Sequence, residues 1–282
     1  MDGGSVERWE ENGYGVGGLY SSIFRGNYEA YDPWESSRRL PVVSKLYPGP
    51  GGSSVYRMFQ GWLSLSNTSA HEGTLLIYPS LSLSTAYLLL RPFFHPHHPS
   101  PSHPSYLFPE NWILEPTPTS ALHGAVPANG QELTPTLHPH LALPTNMTHI
   151  PTVHPGDYVA WHCDTIHAVD SIHAGATDSS VLYIPACPLT EANAAYLARQ
   201  RETFAEGLPG PDFPTAAAAA AGAEGGEAGF KGRLEPDFVM RNLGGEGLRG
   251  MGLARWECGA RGKGLREGER RVVERANEIL GF

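Results

Sequence analysis

The chain has 282 residues, enough for one large domain or two small ones with a buried core. Lys and Arg (20) against Asp and Glu (29) give a formal charge of -9. That field repels phosphate backbones and anionic lipid headgroups, so neither nucleic acid nor a membrane surface is expected as a partner. Gly (33) and Pro (25) together exceed a fifth of the chain, a composition that favours short strands and long loops over helical bundles.

A polar, Gly-rich stretch with two Trp residues (1–50) precedes the first strand signals, at 54–66 and 73–78, with the turn-rich run 67–72 between them. Ala86 to Leu90 reads as a further short apolar strand closed by Arg91-Pro92. Residues 93–155 are studded with Pro and His, too Pro-rich for interior strands or helices, and read as a long surface excursion. Strand signals return at 158–161 and 181–184. The pattern then turns helical, with Thr190 as N-cap and Gly207 as stop. An Ala/Gly-rich linker is expected at 215–229, and a C-terminal extension, 230–282, ends in a helix with Val272, Ala276, Ile279 and Leu280 on one stripe. These elements suggest an antiparallel barrel or a double-sheet roll with helices outside, occupying 1–214.

Cys163, Cys187 and Cys258 form neither a disulfide framework nor a CxxC pair, so a reducing, cytoplasmic setting is expected. No apolar run approaches the roughly 18–20 residues of a membrane span, and the start of the chain lacks the basic and apolar regions of a signal peptide.

The histidines fall into two settings. His95, His97, His98 and His103, like His138 and His140, alternate with Pro and Ser in the excursion, where fixing a ligand geometry would mean ordering a costly segment. Residues 161–167, Trp-His-Cys-Asp-Thr-Ile-His, instead pack two imidazoles, a carboxylate and a thiol against a strand end. Alternation puts His162 and Asp164 on one face. A turn with buried polar groups bonded to backbone is one reading, and a zinc hydrolase site using His162, Asp164 and His167 is another. A site open to substrate and dioxygen, however, usually draws its ligands from separate strands.

The run from Gly156-Asp157 through Trp161 to His167 resembles the distal half of iron and 2-oxoglutarate dioxygenases of the phytanoyl-CoA hydroxylase type. The segments 62–65 and 72–79 resemble the same fold's central strands. A closer resemblance is to a family of uncharacterised function that includes YbiU-like bacterial proteins and fungal N-acetylglucosamine-induced proteins. It rests on Gly3-Gly4-Ser5-Val6-Glu7-Arg8-Trp9, Tyr31-Asp32-Pro33-Trp34, Phe59-Gln60-Gly61-Trp62, Leu90-Arg91-Pro92-Phe93-Phe94, residues 156–169 and 183–188, and the run from Asn193 to Pro214.

This resemblance implies a mainly β double-stranded β-helix, or jelly roll, with peripheral helices, and an Fe(II)- and 2-oxoglutarate-dependent oxygenase acting on a small molecule. Asp2 and His167 would be two of three metal ligands. The third, a His, would stand immediately before Met1, so the chain is expected to be an N-terminally shortened form with little activity. No Lys or Arg lies between His167 and Arg199, where the hydroxylase type places its co-substrate Arg. Arg57, then Arg91, are the candidate replacements, since a guanidinium can hold a carboxylate in a bidentate contact. His162 and Asp164 would orient a ligand through a hydrogen bond. Trp62, Trp161 and Tyr183 would line the pocket. The competing expectation is a non-catalytic jelly-roll module that binds a small molecule.

Overall fold

In the computed structural model, residues 6–47, 53–117, 119–127, 129–212, 226–258 and 264–282 are described. Strand β1 (Phe59–Ser64) lies between β6 (Tyr158–His162) and β8 (Val181–Tyr183), antiparallel to both. Gln60 faces Trp161 across the ladder, Trp62 faces Val159 and Tyr183, and Ser64 faces Val181. Directly opposed residues share a face, and the strand period is two, so these seven side chains point the same way. Gly61 is where the ladder tightens, because a β-carbon there would stand 2.4 Å from Tyr158 Oη and 2.9 Å from Val159 O.

A second antiparallel sheet sets β2 (Leu75–Ile77) between β5 (Thr148–His149) and β7 (His167–Val169). One apolar cluster draws on both sheets. Trp62, Leu75, Val153 and Trp161 are buried in it, with Ile77, Ile150, Val159 and Val181 packed against them. Each such side chain taken from water contributes about 1.5–3 kcal/mol.

Two expectations are corrected here. The apolar run 86–90 is not a strand but the second half of helix α2 (Leu81–Leu90), which follows the short helix α1 (Ser21–Phe24). Its Ala86 and Leu89 pack into one cluster with Tyr14, Tyr20, Ile23 and Tyr31, whereas Leu88 packs into another with Leu141 and Ile166. A helix buried on several sides carries no amphipathic period to read. Residues 93–155 are likewise more than a surface excursion. They supply the hairpin β3 (Phe94–Pro96) and β4 (Trp112–Leu114), helix α3 (Leu143–Asn146), strand β5 and the buried Leu141 and Val153. The prolines stand at ends and edges, where no ladder N–H is needed. Helical residues outnumber strand residues along the described chain.

The chain divides into two units, one of Met1–Gly52 with Arg57–Ala186, the other of Ser53–Tyr56 with Cys187–Phe282. In the second, Thr190 caps α4 (Glu191–Glu206) by accepting from Asn193 N, and Gly207 closes it with φ of 69°. Helices α5 (Pro236–Asn242) and α6 (Gly245–Gly250) lead to α7 (Glu267–Leu280), which packs on α4. Arg201 donates to the Gly252 and Leu280 carbonyls, and the Asn193 amide clasps the Tyr56 backbone on both sides. Because α4 packs with α7, the division falls at Ala186, earlier than the 214 expected. The linker expected at 215–229 lies largely outside the described residues. Among the described residues, no helix is long and apolar enough to cross a membrane.

Candidate functional site

The turn joining β6 to β7 is pinned by a buried carboxylate. Asp164 Oδ2 accepts from Arg39 Nη2 at 2.6 Å and from Tyr31 Oη at 2.7 Å, and its Oδ1 accepts from Tyr20 Oη at 3.0 Å. Burial alone would raise the Asp164 pKa. The adjoining Arg39 charge and its hydrogen bonds outweigh that, with smaller help from Arg8 and His162, and hold the carboxyl well below the usual carboxylate range. Burial first and the Asp164 charge second push the Tyr20 and Tyr31 hydroxyls up, which keeps both as donors. His162 is tied to backbone through both ring nitrogens. Its Nε2 meets Pro33 O at 2.8 Å, and its Nδ1 accepts from Asp164 N at 3.1 Å.

Three residues after Asp164, His167 lies on β7 opposite Ile77. Its Nδ1 lies 2.9 Å from the Thr165 carbonyl, which makes Nδ1 the protonated nitrogen and leaves the lone pair on Nε2. Burial, with a lesser contribution from the Arg57 charge, lowers the His167 pKa against the opposing pull of the Thr165 carbonyl, so the ring is neutral near pH 7. Among the described residues Nε2 has no hydrogen-bond partner. A histidine fixed in this way by a carbonyl on its far nitrogen has the usual preparation of a metal ligand.

His167 lines two cavities. One, of about 490 Å³, has an apolar wall that includes Leu88, Leu133, Leu143, Met147 and Ile166, and it also holds Arg8. Arg8 is 4% exposed, stands over the Tyr20 ring, and its Nε has no hydrogen-bond partner among the described residues. The other, of about 420 Å³, is lined by residues of both sheets, among them Gln60, Trp62, Trp161 and Tyr183. The Trp161 ring lies 5.1 Å from the His167 ring. Gln60 Nε2 and Trp161 Nε1, opposed across the β1–β6 ladder, are buried donors without an acceptor among the described residues.

The structure thus gathers four of the expected residues, Trp62, Trp161, Tyr183 and His167, on one cavity. Arg57 is close enough for its charge to act on His167. Asp2 lies outside the described residues. His162 and Asp164 brace the turn, and neither hydrogen-bonds His167. The donors that converge there are His162, Cys163 and Asp164, not the set with His167 that a zinc hydrolase would need. Arg91 donates to the Leu137 and Phe94 carbonyls at 3.0 and 2.8 Å and stacks on Trp112, so its guanidinium is engaged in holding 93–137 together. Gln60, Arg8 and the Arg39–Tyr20–Tyr31 set were not singled out in sequence. Arg8, Tyr31 and Gln60 do stand in segments that carry the family resemblance, and that is the signal that could have found them.

Comparison with known proteins places this geometry among relatives. The Gig2-like family profile matches residues 1–253. The uncharacterised Escherichia coli K12 protein YbiU is 32% identical over 213 residues, which are 76% of this chain and 45% of YbiU. The crystal structure of GlcNAc Inducible Gene 2, GIG2 (DUF1479), from Candida albicans is similar with a TM-score of 0.78 and 33% identity, over 100% of this chain and 58% of that one. A Salmonella typhimurium LT2 structure described as a "Putative Oxidoreductase" gives 0.67 and 31%, over 89% and 52%. The chain spans about half the length of these relatives.

Proposed function

The chain belongs to the Gig2-like family, and on that premise we propose that it is an oxygenase-like protein, a jelly-roll domain holding Fe(II) and 2-oxoglutarate beside His167 to oxidise a small molecule. The observation that carries this reading is the His167 imidazole. It is neutral, is locked by Thr165 through Nδ1, and lines both cavities. The oxidoreductase description of the Salmonella relative fits the broader class.

In this reading Nε2 of His167 and the Asp2 carboxylate would be two ligands, and a further imidazole would complete the set of three. Iron and 2-oxoglutarate together supply the activation of dioxygen. The protein's own part is positioning. Thr165 fixes the ring plane, and the Arg39–Asp164 pair fixes the turn that carries Thr165. The two free N–H groups of Gln60 and Trp161 suit carboxylate or keto oxygens of the co-substrate, with the Arg57 charge nearby. Across His167, the buried Arg8 guanidinium and its apolar wall suit a substrate with an acidic end and an apolar body. A non-catalytic binding module is the second reading, favoured by the lack of any Lys or Arg between His167 and Arg199.

Iron titration tests the proposal. The 282-residue chain should bind Fe(II) weakly, whereas the same chain with Met-His added before Met1 should bind one equivalent tightly, and His167→Ala should abolish the gain. Under air the extended chain should release succinate from 2-oxoglutarate, and Gln60→Leu should raise the co-substrate concentration required. Ligand retention without succinate would favour the binding module. Iron binding indifferent to both the added His and His167→Ala would overturn the site.

A further inference from the structure

The sheet that carries His167 on its inner face carries a second donor set on the other. Leu76 pairs with both Ala168 and His149, and Ile77 pairs with His167, so strand alternation sends His149 away from the His167 cavities. Asp170 follows β7 at the same parity as Ala168, its N donating to Thr74 O. His71 reaches the same place from the loop between β1 and β2.

We propose that His71, His149 and Asp170 form a surface-facing site for a divalent transition-metal ion, Zn²⁺ by the chemistry of the donors, separate from the centre at His167 and independent of whether that centre is an oxygenase. His149 Nε2 is 2.7 Å and His71 Nδ1 is 3.4 Å from one oxygen, Asp170 Oδ2. The three donor atoms lie within 4.8 Å of one another, and the two rings are 4.5 Å apart. A tetrahedral Zn²⁺ with bonds of about 2.0–2.1 Å spaces its donors by about 3.3–3.4 Å. The His71 distance already matches, and the His149 distance must open by about 0.6 Å. Two imidazoles and one carboxylate are a donor set that zinc accepts, with the remaining position left to water or an external ligand.

Three further features support a prepared site. The Asp170 carboxylate is oriented by backbone, its Oδ1 accepting from Ile172 N at 2.9 Å and its Oδ2 from His71 N at 3.1 Å. Its side chain is 5% exposed while that of His71 is 59% exposed, so a rigid buried anion sits under an accessible imidazole that leaves an entry path. His71 holds this position at φ of 63°, a left-handed backbone that residues with a β-carbon rarely adopt. The donors come from three separate segments, so a bound ion would tie the β1–β2 loop, β5 and the end of β7 together.

The test uses the full chain, stripped with a chelator and titrated with Co²⁺ and then Zn²⁺. One equivalent of Co²⁺ should give the intense visible absorption of four- or five-coordinate cobalt, and Zn²⁺ should displace it with release of protons and a raised melting temperature. His149→Ala should abolish the signal, and His167→Ala should leave it intact. Asp170 also anchors backbone, so the variant that protects against a folding artefact is His71→Asn. Asparagine tolerates the left-handed backbone, so the loop should persist while Zn²⁺ binds at least about 10-fold more weakly. Absence of Zn²⁺ binding, binding that survives both His149→Ala and His71→Asn, or binding lost in His167→Ala would each overturn the assignment.

Discussion

Truncating Asp164 to alanine removes the acceptor of two tyrosine hydroxyls and the carboxylate paired with the buried Arg39 guanidinium, whose side chain is 1% exposed. Stranding one member of a buried ion pair costs about 3–5 kcal/mol, and each hydroxyl left without its acceptor adds up to about 1 kcal/mol. The expected loss of about 4–6 kcal/mol is large against the usual 5–15 kcal/mol of a domain. The double variant Arg39→Met, Asp164→Leu exchanges both charges for apolar side chains and should recover most of the deficit, leaving about 1–2 kcal/mol for the tyrosines. Urea unfolding followed by tryptophan fluorescence reads this out. Of the 6 Trp residues, all but Trp256 lie in the unit that contains Asp164, so the signal follows that unit. A loss below about 1 kcal/mol in Asp164→Ala, or a double variant no better than the single, would refute the view that the pair braces the turn before His167.

Acid should weaken the same unit in two stages. His138 is fully buried, and its pKa is lowered to about 4 by burial and then by Arg91. The unfolded imidazole therefore takes a proton below about pH 6.5 while the folded one does not, and stability should fall by up to about 3 kcal/mol between pH 6.5 and 4. His138→Gln should flatten that part of the urea-midpoint profile. Asp164, depressed when folded, adds stability above the ordinary carboxylate range that is lost as pH falls through and below about 4. Gly17→Ala would set a β-carbon 1.7 Å from the Arg38 carbonyl oxygen. The backbone next to Arg39 must then move, at a cost of about 1–3 kcal/mol or more, seen as a lowered melting temperature. Arg91→Lys should destabilise by about 1–2 kcal/mol through its two carbonyl contacts and leave 2-oxoglutarate binding unchanged; lost binding at full stability would restore Arg91 as a co-substrate residue.

Elements that expose one face were readable from the chain. Alternation marks β1, β6 and β8 because one side of that sheet meets the shared core, and Thr190 with Gly207 marks α4 because its ends need caps. Helix α2 hid because Ala86, Leu88 and Leu89 are buried in different directions, so its apolar run has no period. In residues 93–155 the strands are two or three residues long, too short for any pattern. At the site, His167 and the three pocket aromatics were expected from the family resemblance, not from local spacing alone. The Arg39–Asp164 pair spans 125 positions, and nothing local to either residue announces the other. The same holds for His71, His149 and Asp170, whose meeting depends on sheet register.

The ladder order also has a consequence on the ribosome. β1 is the middle strand of its sheet, yet both neighbours are encoded far downstream, the later ending at Tyr183. At 5–20 residues per second, about 95 residues of translation separate β1 from β6, or roughly 5–19 s, and β8 follows later still. Through that interval Phe59, Trp62 and Leu63 emerge with no strand to pair with. Such long-range pairing is slow and prone to off-pathway association, so nascent chains paused before codon 158 should be captured by holdase chaperones, and those released after 183 should escape them.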